Sequence, residues 1–225
     1  MGAITLDQHQ RVESRQPLAL AEAIRFEYLE NRMLIAVIYG RQGMGKSSYA
    51  IQVMKQAFEG TGFDWWDWWK FEPKEIIEAI WTLKQKGWRI PCLTIDDASR
   101  AFYYMDYYNQ DVRNAMNWLA LARTRVGGII LTTPNLGLIL KKILGFEGIL
   151  VGKVVRDGRN NTKDERRVEL FQNNIEPYGK RYVNRVIKDH FNVQLPDEEY
   201  ERYAKKRQSY LDSLTEDMAK KSGLL

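Results

Sequence analysis

The sequence predicts an α/β fold: a central, mainly parallel five-stranded sheet flanked by helices, with a C-terminal β-hairpin plus helix appendage. Three observations predict it. Apolar runs rich in β-branched residues recur at 33–39, 88–95 and 129–133, and such runs suit strands buried on both faces of a parallel sheet. Segments with apolar residues at helical spacing separate them. Glycine and proline mark the joins, so that strand and helix alternate five times.

The elements follow in order. Residues 1–16 are polar and aperiodic and predict a loose arm. Residues 18–31 predict an amphipathic helix, and 33–39 the first strand. The segment 40–45 is a glycine-punctuated turn. Tyr49, Ala50, Val53, Met54 and Ala57 mark one face of a helix that Gly60 ends. Part of the tryptophan-rich run 63–71 predicts the second strand. Pro73 and Gly87 bracket the next helix at its start and stop. A third strand over 88–95 ends in two acids. After an aromatic stretch (Phe102, Tyr103, Tyr104, Tyr107, Tyr108), Val112, Ala115, Met116, Leu119 and Ala122 mark another helix face. Gly127-Gly128 leads into a fourth strand stopped by Pro134; a short helix and a fifth strand over 149–155 follow. Beyond these, 166–172 and 181–188 predict a hairpin turning at Pro177-Tyr178-Gly179, and from Pro196 onward the chain reads as one long charged helix. The expected organisation is an arm and helix over 1–32, a core over 33–155, and a basic hairpin with a helix over 156–225.

Composition narrows the function. The 225 residues are 44% hydrophobic and 28% charged, which suits one substantial domain and excludes wholesale disorder. A single cysteine, Cys92, excludes a disulfide framework, and with only His9 and His190 beside it a zinc site is not expected. Asp7, Arg11 and Glu13 interrupt any signal-peptide core; Leu6 stands where myristoylation needs Ser or Thr; Lys141, Lys142 and Glu147 break the longest apolar stretch. A cytoplasmic protein, in its own or a host cell, with no membrane partner is therefore expected. The net charge of +5 permits nucleic acid as a partner.

Gly40-Arg41-Gln42-Gly43-Met44-Gly45-Lys46-Ser47 matches G-x-x-x-x-G-K-[ST] at every fixed position, with a buried strand before it and a helix after it. Glycines let backbone amides converge on phosphates, and the helix N-terminus adds partial positive charge. Lys46 is expected to reach the β- and γ-phosphates of ATP and Ser47 to hold Mg²⁺, with Ser48 completing the cradle.

Leu93-Thr94-Ile95-Asp96-Asp97 is an apolar strand ending in two acids, at the sheet edge where parallel α/β proteins bind ligands. Asp96 is expected to hold Mg²⁺ through water, and Asp97 to orient or deprotonate the attacking water. The alternative is that these acids cap the next helix.

A complete helix–strand unit lies between the phosphate loop and the acids, and another strand, 129–133, follows them. This spacing resembles the RecA-like P-loop NTPases with an additional central strand, the group that holds AAA+ proteins and FtsK/HerA translocases. That resemblance implies a polar sensor near the γ-phosphate, and Thr132, Thr133 and Asn135 stand at the matching place. Ile95-Asp96-Asp97-Ala98 is similar to the second motif of DnaA-type and IstB/DnaC-type AAA+ proteins, although many related ATPases carry Glu where Asp97 stands. Arg123-Thr124-Arg125 before the fourth strand resembles the passage of FtsK/HerA-like and Zot-like ATPases. Taken together, with Leu195-Pro196-Asp197 and 200–210 resembling a C-terminal helix, the chain is most similar to small P-loop ATPases of archaeal viruses and plasmids. The segment 138–146 offers Lys141 and Lys142 but no arginine finger of the AAA+ kind. Arg123 or Arg125, lent to a neighbouring subunit of a homo-oligomer, is the expected substitute; the other reading is that both arginines only complement a helix C-terminus.

From Lys153 to Lys188 the chain carries ten basic residues (Lys153, Arg156, Arg159, Lys163, Arg166, Arg167, Lys180, Arg181, Arg185, Lys188) against five acids, an excess equal to the charge of the whole chain. A basic hairpin suits double-stranded DNA, and a solubilising surface is the alternative. The loop Asp157-Gly158-Arg159-Asn160-Asn161 is either a DNA-contacting loop or a turn. Trp65, Trp66, Trp68 and Trp69 are expected to pack in the core or an interface rather than stack on bases, because Asp64 and Asp67 repel phosphate there. The function expected is an ATPase acting on DNA, as a replication initiator, loader, translocase or packaging motor. A nucleotide-dependent switch with little catalysis is the alternative, and a small-molecule kinase is disfavoured by the lack of an arginine-rich lid.

Overall fold

The computed structural model describes residues 17–102, 110–139, 141–146, 148–157, 163–175 and 181–223. The expected N-terminal arm, the aromatics Tyr103 to Tyr108, the loop 158–161 and the hairpin turn at 177–179 lie outside the described residues.

The chain runs through α1 (Ala19–Leu29), β1 (Leu34–Tyr39), α2 (Lys46–Phe58), β2 (Trp69–Lys70), α3 (Pro73–Lys86), β3 (Ile90–Ile95), α4 (Ala98–Ala101), α5 (Gln110–Leu121), β4 (Val126–Thr133), α6 (Lys141–Leu144), β5 (Leu150–Arg156), β6 (Glu165–Ile175), β7 (Arg181–Asn192) and α7 (Asp197–Lys221). The strands form one sheet in the order β2-β3-β4-β1-β5-β6-β7. The first five are parallel neighbours, and β6 and β7 join antiparallel. β4 therefore lies between β1 and β3, as the additional-strand P-loop fold requires.

The parallel strands read as apolar runs because both faces are covered: every residue of β3 and β4 is buried. Gly127 and Gly128 open β4 because α1 lies directly on it. A Cβ at Gly127 would stand 2.5 Å from Cβ of Tyr28, and one at Gly128 would stand 2.7 Å from Cγ1 of Ile24. α3 starts with Pro73 and a capping box in which Glu72 and Glu75 serve each other's amides, and it stops at Gly87 with φ 66°.

The second strand falls within the tryptophan run and its rings pack in the core, as expected, while one expectation needs correction. The tryptophan run yields only the two-residue strand β2, preceded by a 3-10 turn at Trp65–Trp68 whose start Asp64 caps by accepting from the Trp66 amide at 2.9 Å. Large rings pack inward on successive residues here: Trp66, Trp68 and Trp69 are all buried. A strand would send neighbours to opposite faces. The hairpin, expected as an appendage, instead extends the sheet to seven strands by pairing β6 along the whole of β5.

The inner face of that hairpin carries Asp189, a buried carboxylate on which three elements meet. It accepts from the Ala19 amide at 2.7 Å, the Leu20 amide at 3.2 Å and the Tyr49 hydroxyl at 2.6 Å. Leu18, at the N-cap of α1, offers no side-chain cap, and Asp189 supplies one from 170 residues away. Burial and this carboxylate hold the Tyr49 hydroxyl well above its usual pKa.

Cys92 lies in β3 with no exposure, and burial pushes its thiol well above the usual cysteine range. It is therefore expected to resist maleimide in the native protein, with labelling at least about a hundredfold faster in denaturant. Equal rates would contradict its placement in the core.

Candidate functional site

The site forms where β1 and β3 end at one sheet edge. β1 delivers Gly40, and the loop turns through positive φ at Gly40 (151°), Gly43 (73°) and Gly45 (89°) before α2 begins. Gly45 is required twice over, since its backbone is left-handed and a Cβ there would lie 2.4 Å from Cγ1 of Val193. Gly43 has no neighbouring atom within 4 Å of its would-be Cβ and needs glycine only for its φ. Arg41, Gln42 and Gly43 are exposed, while Met44, Ser47 and Ser48 are half-buried.

Lys46 is folded back over the loop. Its Nζ donates to the carbonyls of Gly40 at 3.0 Å and Arg41 at 3.1 Å. Burial lowers its pKa from the usual lysine value, and the carboxylates of Asp97 and Asp96 oppose that shift. Across the sheet, Ser47 Oγ donates to Asp96, 3.0 Å from Oδ1 and 3.1 Å from Oδ2. Thr132 Oγ1, from the intervening β4, donates to Oδ1. Burial raises the pKa of Asp96, and the hydroxyls of Thr132, Tyr203 and Ser47 partly offset this.

Asp97 has φ 52°, a conformation uncommon for a residue other than glycine, and its amide donates to Thr132 Oγ1 at 3.1 Å. It occupies the N-cap position of α4 yet its carboxylate makes no cap hydrogen bond. The capping alternative is therefore not met.

The structure brings together Lys46, Ser47, Asp96, Asp97 and, of the three residues expected at the sensor place, Thr132. It does not bring Thr133 or Asn135 to Asp96. Successive side chains of a strand alternate in direction, and Thr133 Oγ1 closes a local turn, donating to the Asn135 carbonyl at 2.9 Å and accepting from its amide at 3.3 Å. Asn135 Oδ1 caps the following turn by accepting from the Gly137 amide at 2.9 Å. Arg123 and Arg125 precede β4 and so stand at the opposite sheet edge, a strand length of about 26 Å from the site. The Arg125 carbonyl accepts from the Ile90 amide at 2.9 Å, and that of Arg123 accepts from the Arg89 guanidinium. Neither can reach its own chain's phosphate loop.

The residues present fit a magnesium–nucleotide. Gly43, Gly45, Lys46, Ser47 and Ser48 donate their amides to no backbone carbonyl among the described residues, which leaves a set of donors at a helix N-terminus for phosphate oxygens. A serine hydroxyl held on a buried carboxylate is the oxygen donor set that suits Mg²⁺, with most of its shell left to water and phosphate. Among the described residues no cluster of three or more His, Cys, Asp or Glu offers an all-protein metal site.

One contact was not expected from the sequence. Tyr203, on α7, places its hydroxyl 2.9 Å from Asp96 Oδ2. The available signal was the seven-residue spacing of Tyr203 and Tyr210, which puts both on one helix face. Of the ten basic residues expected to face DNA, Arg166 is buried and donates to the carbonyls of Lys163 at 2.6 Å and Glu165 at 2.9 Å. Arg167, Arg185 and Lys188 surround Glu169 at 3.3, 3.5 and 3.8 Å. Lys153, Arg156 and Lys163 are exposed. Arg159, Lys180 and the side chain of Arg181 lie outside the described residues. Among the described residues no helix is long and apolar enough to cross a membrane.

No family model matches the chain. It is 26% identical over 219 residues to the uncharacterized protein B-251 of Sulfolobus spindle-shape virus 1, covering 92% of this chain and 86% of that one. It is 26% identical over 159 residues to the uncharacterized protein ORF286 of Acidianus two-tailed virus, covering 68% of this chain and 52% of that one. Among solved structures, the N-terminal domain of zonular occludens toxin from Neisseria meningitidis superimposes with TM-score 0.46 at 11% identity, over 70% of this chain and 95% of that one. The genome packaging NTPase B204 of Sulfolobus turreted icosahedral virus 2 does so with TM-score 0.40 at 12% identity, over 68% and 97%. By its own strand order and phosphate-loop motif the chain has the RecA-like P-loop fold, and these two sequence relatives are proteins of archaeal viruses.

Proposed function

We propose that this chain binds ATP with Mg²⁺ and hydrolyses it, acting on double-stranded DNA as a homo-oligomer. The observation that carries the reading is the contact of Ser47 with Asp96 across β4, beside a lysine already turned onto the phosphate loop. In this reading Lys46 holds the β- and γ-phosphates, and the loop amides from Gly40 to Ser48 cradle them. Ser47 and Asp96 hold the metal through its oxygen and water shell, which would neutralise charge developing on the phosphates. Asp97 orients the attacking water, with Thr132 fixing its backbone. Thr133 and Asn135 shape the neighbouring turn and act as the polar sensor. Arg123 or Arg125 serves the site of an adjacent subunit, since neither can serve its own.

The outer face of β5–β7 supports the DNA part of the reading. Lys153, Glu169 and Lys188 stand in register across three strands, with Arg167 and Arg185 beside them. Changing Lys153 and Lys188 together to Glu is expected to weaken duplex binding at least about tenfold in low salt and to flatten its salt dependence. Turnover without DNA is expected to stay unchanged. Equal binding by parent and variant, measured by fluorescence anisotropy, would remove this face from the account.

A nucleotide-dependent switch with little turnover is the second reading. The observation favouring it is the occupation of Asp96 by Tyr203, together with the shorter acid at Asp97.

A further inference from the structure

α7 carries a contact that no other part of the chain explains. The helix has 25 residues, yet Tyr203 alone among its described residues is buried. Its docking is otherwise polar or aromatic. Lys55 pairs with Glu199, and Arg202 pairs with Asp64 at 2.9 Å. Arg202 and Lys206 lie over the Trp66 ring at 5.2 and 5.4 Å, and Lys206 donates to the Trp69 carbonyl. Tyr203 meets the edge of Trp69, and Tyr210 stacks on Phe71 at 4.8 Å. Beyond Tyr210 most of the helix is exposed. Such an element can detach without opening the core.

The connection into this helix crosses the phosphate loop. Val193 packs where a Cβ on Gly45 would be, and the Phe191 ring packs tilted against Tyr49 of α2, with centroids 5.0 Å apart. One turn past Tyr203, Arg207 lies near enough to Lys46 to oppose its charge. The Tyr203 hydroxyl then donates to Asp96 on the oxygen that Ser47 also approaches. A metal-bound water held by Asp96 would need that same acceptor. Three hydroxyls already serve this carboxylate. That of Thr132 is fixed on β4 and that of Ser47 on the first turn of α2, whereas that of Tyr203 arrives on a helix held by its periphery.

We propose that α7 is a strap closed over the site in the nucleotide-free protein, with the Tyr203 hydroxyl standing in for a metal-bound water on Asp96, and that magnesium–nucleotide displaces it and frees the helix. The inference rests on the phosphate-loop reading and adds its regulation: the exposed, charged helix becomes the part of the molecule that reports nucleotide state. The strap and the metal compete for one carboxylate, so each must weaken the other's hold by the same factor.

Hydrogen exchange and magnesium titration test this on the full chain. Exchange over 197–210 is followed in the parent, alone, with ATP and EDTA, and with a non-hydrolysable ATP analogue and Mg²⁺. Faster exchange only in the last condition is expected. Tyr203→Phe keeps the ring against Trp69 and removes the hydroxyl. It is expected to lower the Mg²⁺ needed for half-maximal analogue binding by up to about tenfold. Arg202→Ala, which loosens the helix away from Asp96, is expected to shift it the same way, by about twofold to threefold. A helix that stays equally protected with analogue bound overturns the strap. So does an unchanged or raised Mg²⁺ requirement in both variants, which would make Tyr203 a support of Asp96 rather than its competitor. Absence of analogue binding in the parent would instead overturn the phosphate-loop reading beneath it.

Discussion

Lys46→Ala is expected to weaken ATP binding at least about a hundredfold, while the melting temperature moves by only a few degrees. The ammonium rests on two loop carbonyls, at 3.0 and 3.1 Å from Gly40 and Arg41. Those contacts hold it at the mouth of the loop and are exchanged for phosphate oxygens when nucleotide enters. Two charge-assisted hydrogen bonds of about 1.5–2 kcal/mol each correspond to that factor. The stability cost is small because burial already disfavours the Lys46 ammonium, so its two contacts with the loop return little net stability. The loop keeps its shape through its glycines and through Val193 against Gly45. Isothermal titration of both proteins with ATP and Mg²⁺ measures the effect. Equal affinity would mean that the loop 40–47 is not the nucleotide site.

Asp189→Ala is expected to be the most damaging single change away from that site. The carboxylate is buried and takes three hydrogen bonds, two from the first turn of α1 and one from Tyr49 of α2. Alanine would leave three donors without an acceptor in the interior. The loss expected is about 3–5 kcal/mol, or roughly 10 °C in melting temperature for a chain of this size. Tyr49→Phe should cost far less, about 1 kcal/mol. Because Tyr49 and Asp189 share one bond, the double variant should lose less than the sum of the two. A loss below 1 kcal/mol for Asp189→Ala, by urea denaturation, would show that β7 does not tie the two helices together.

The parallel half of the fold was legible because its signals are local. Gly127-Gly128 at the start of β4, Pro73 and Gly87 around α3, and the glycines of the phosphate loop each act on the backbone of their own neighbourhood. In the tryptophan run the strand and the core packing were legible, but how short the strand is was not, because burial of Trp66 and Trp68 leaves most of the run in a 3-10 turn. The hairpin was found as a hairpin, but its attachment to β5 was hidden. Edge pairing depends on which strand ends beside which, not on residue type. The candidate site divides the same way. Lys46, Ser47, Asp96 and Asp97 follow from motif spacing. Thr132 and Thr133 could not be separated by spacing alone, since a one-residue shift exchanges sheet faces. Tyr203 and Asp189 reach across 107 and 140 residues to Asp96 and Tyr49, and a single sequence carries no trace of such pairings.

The measurement that tests the account most directly is single-turnover release of phosphate from ATP, with protein in excess over nucleotide, Mg²⁺ present, and duplex DNA added or withheld. The account predicts exponential release of one phosphate per ATP, faster with DNA, absent in Lys46→Ala, and reduced at least about a hundredfold in Asp96→Asn. ATP that binds and is recovered intact under both conditions would contradict it, and would leave a nucleotide-bound switch in place of an ATPase.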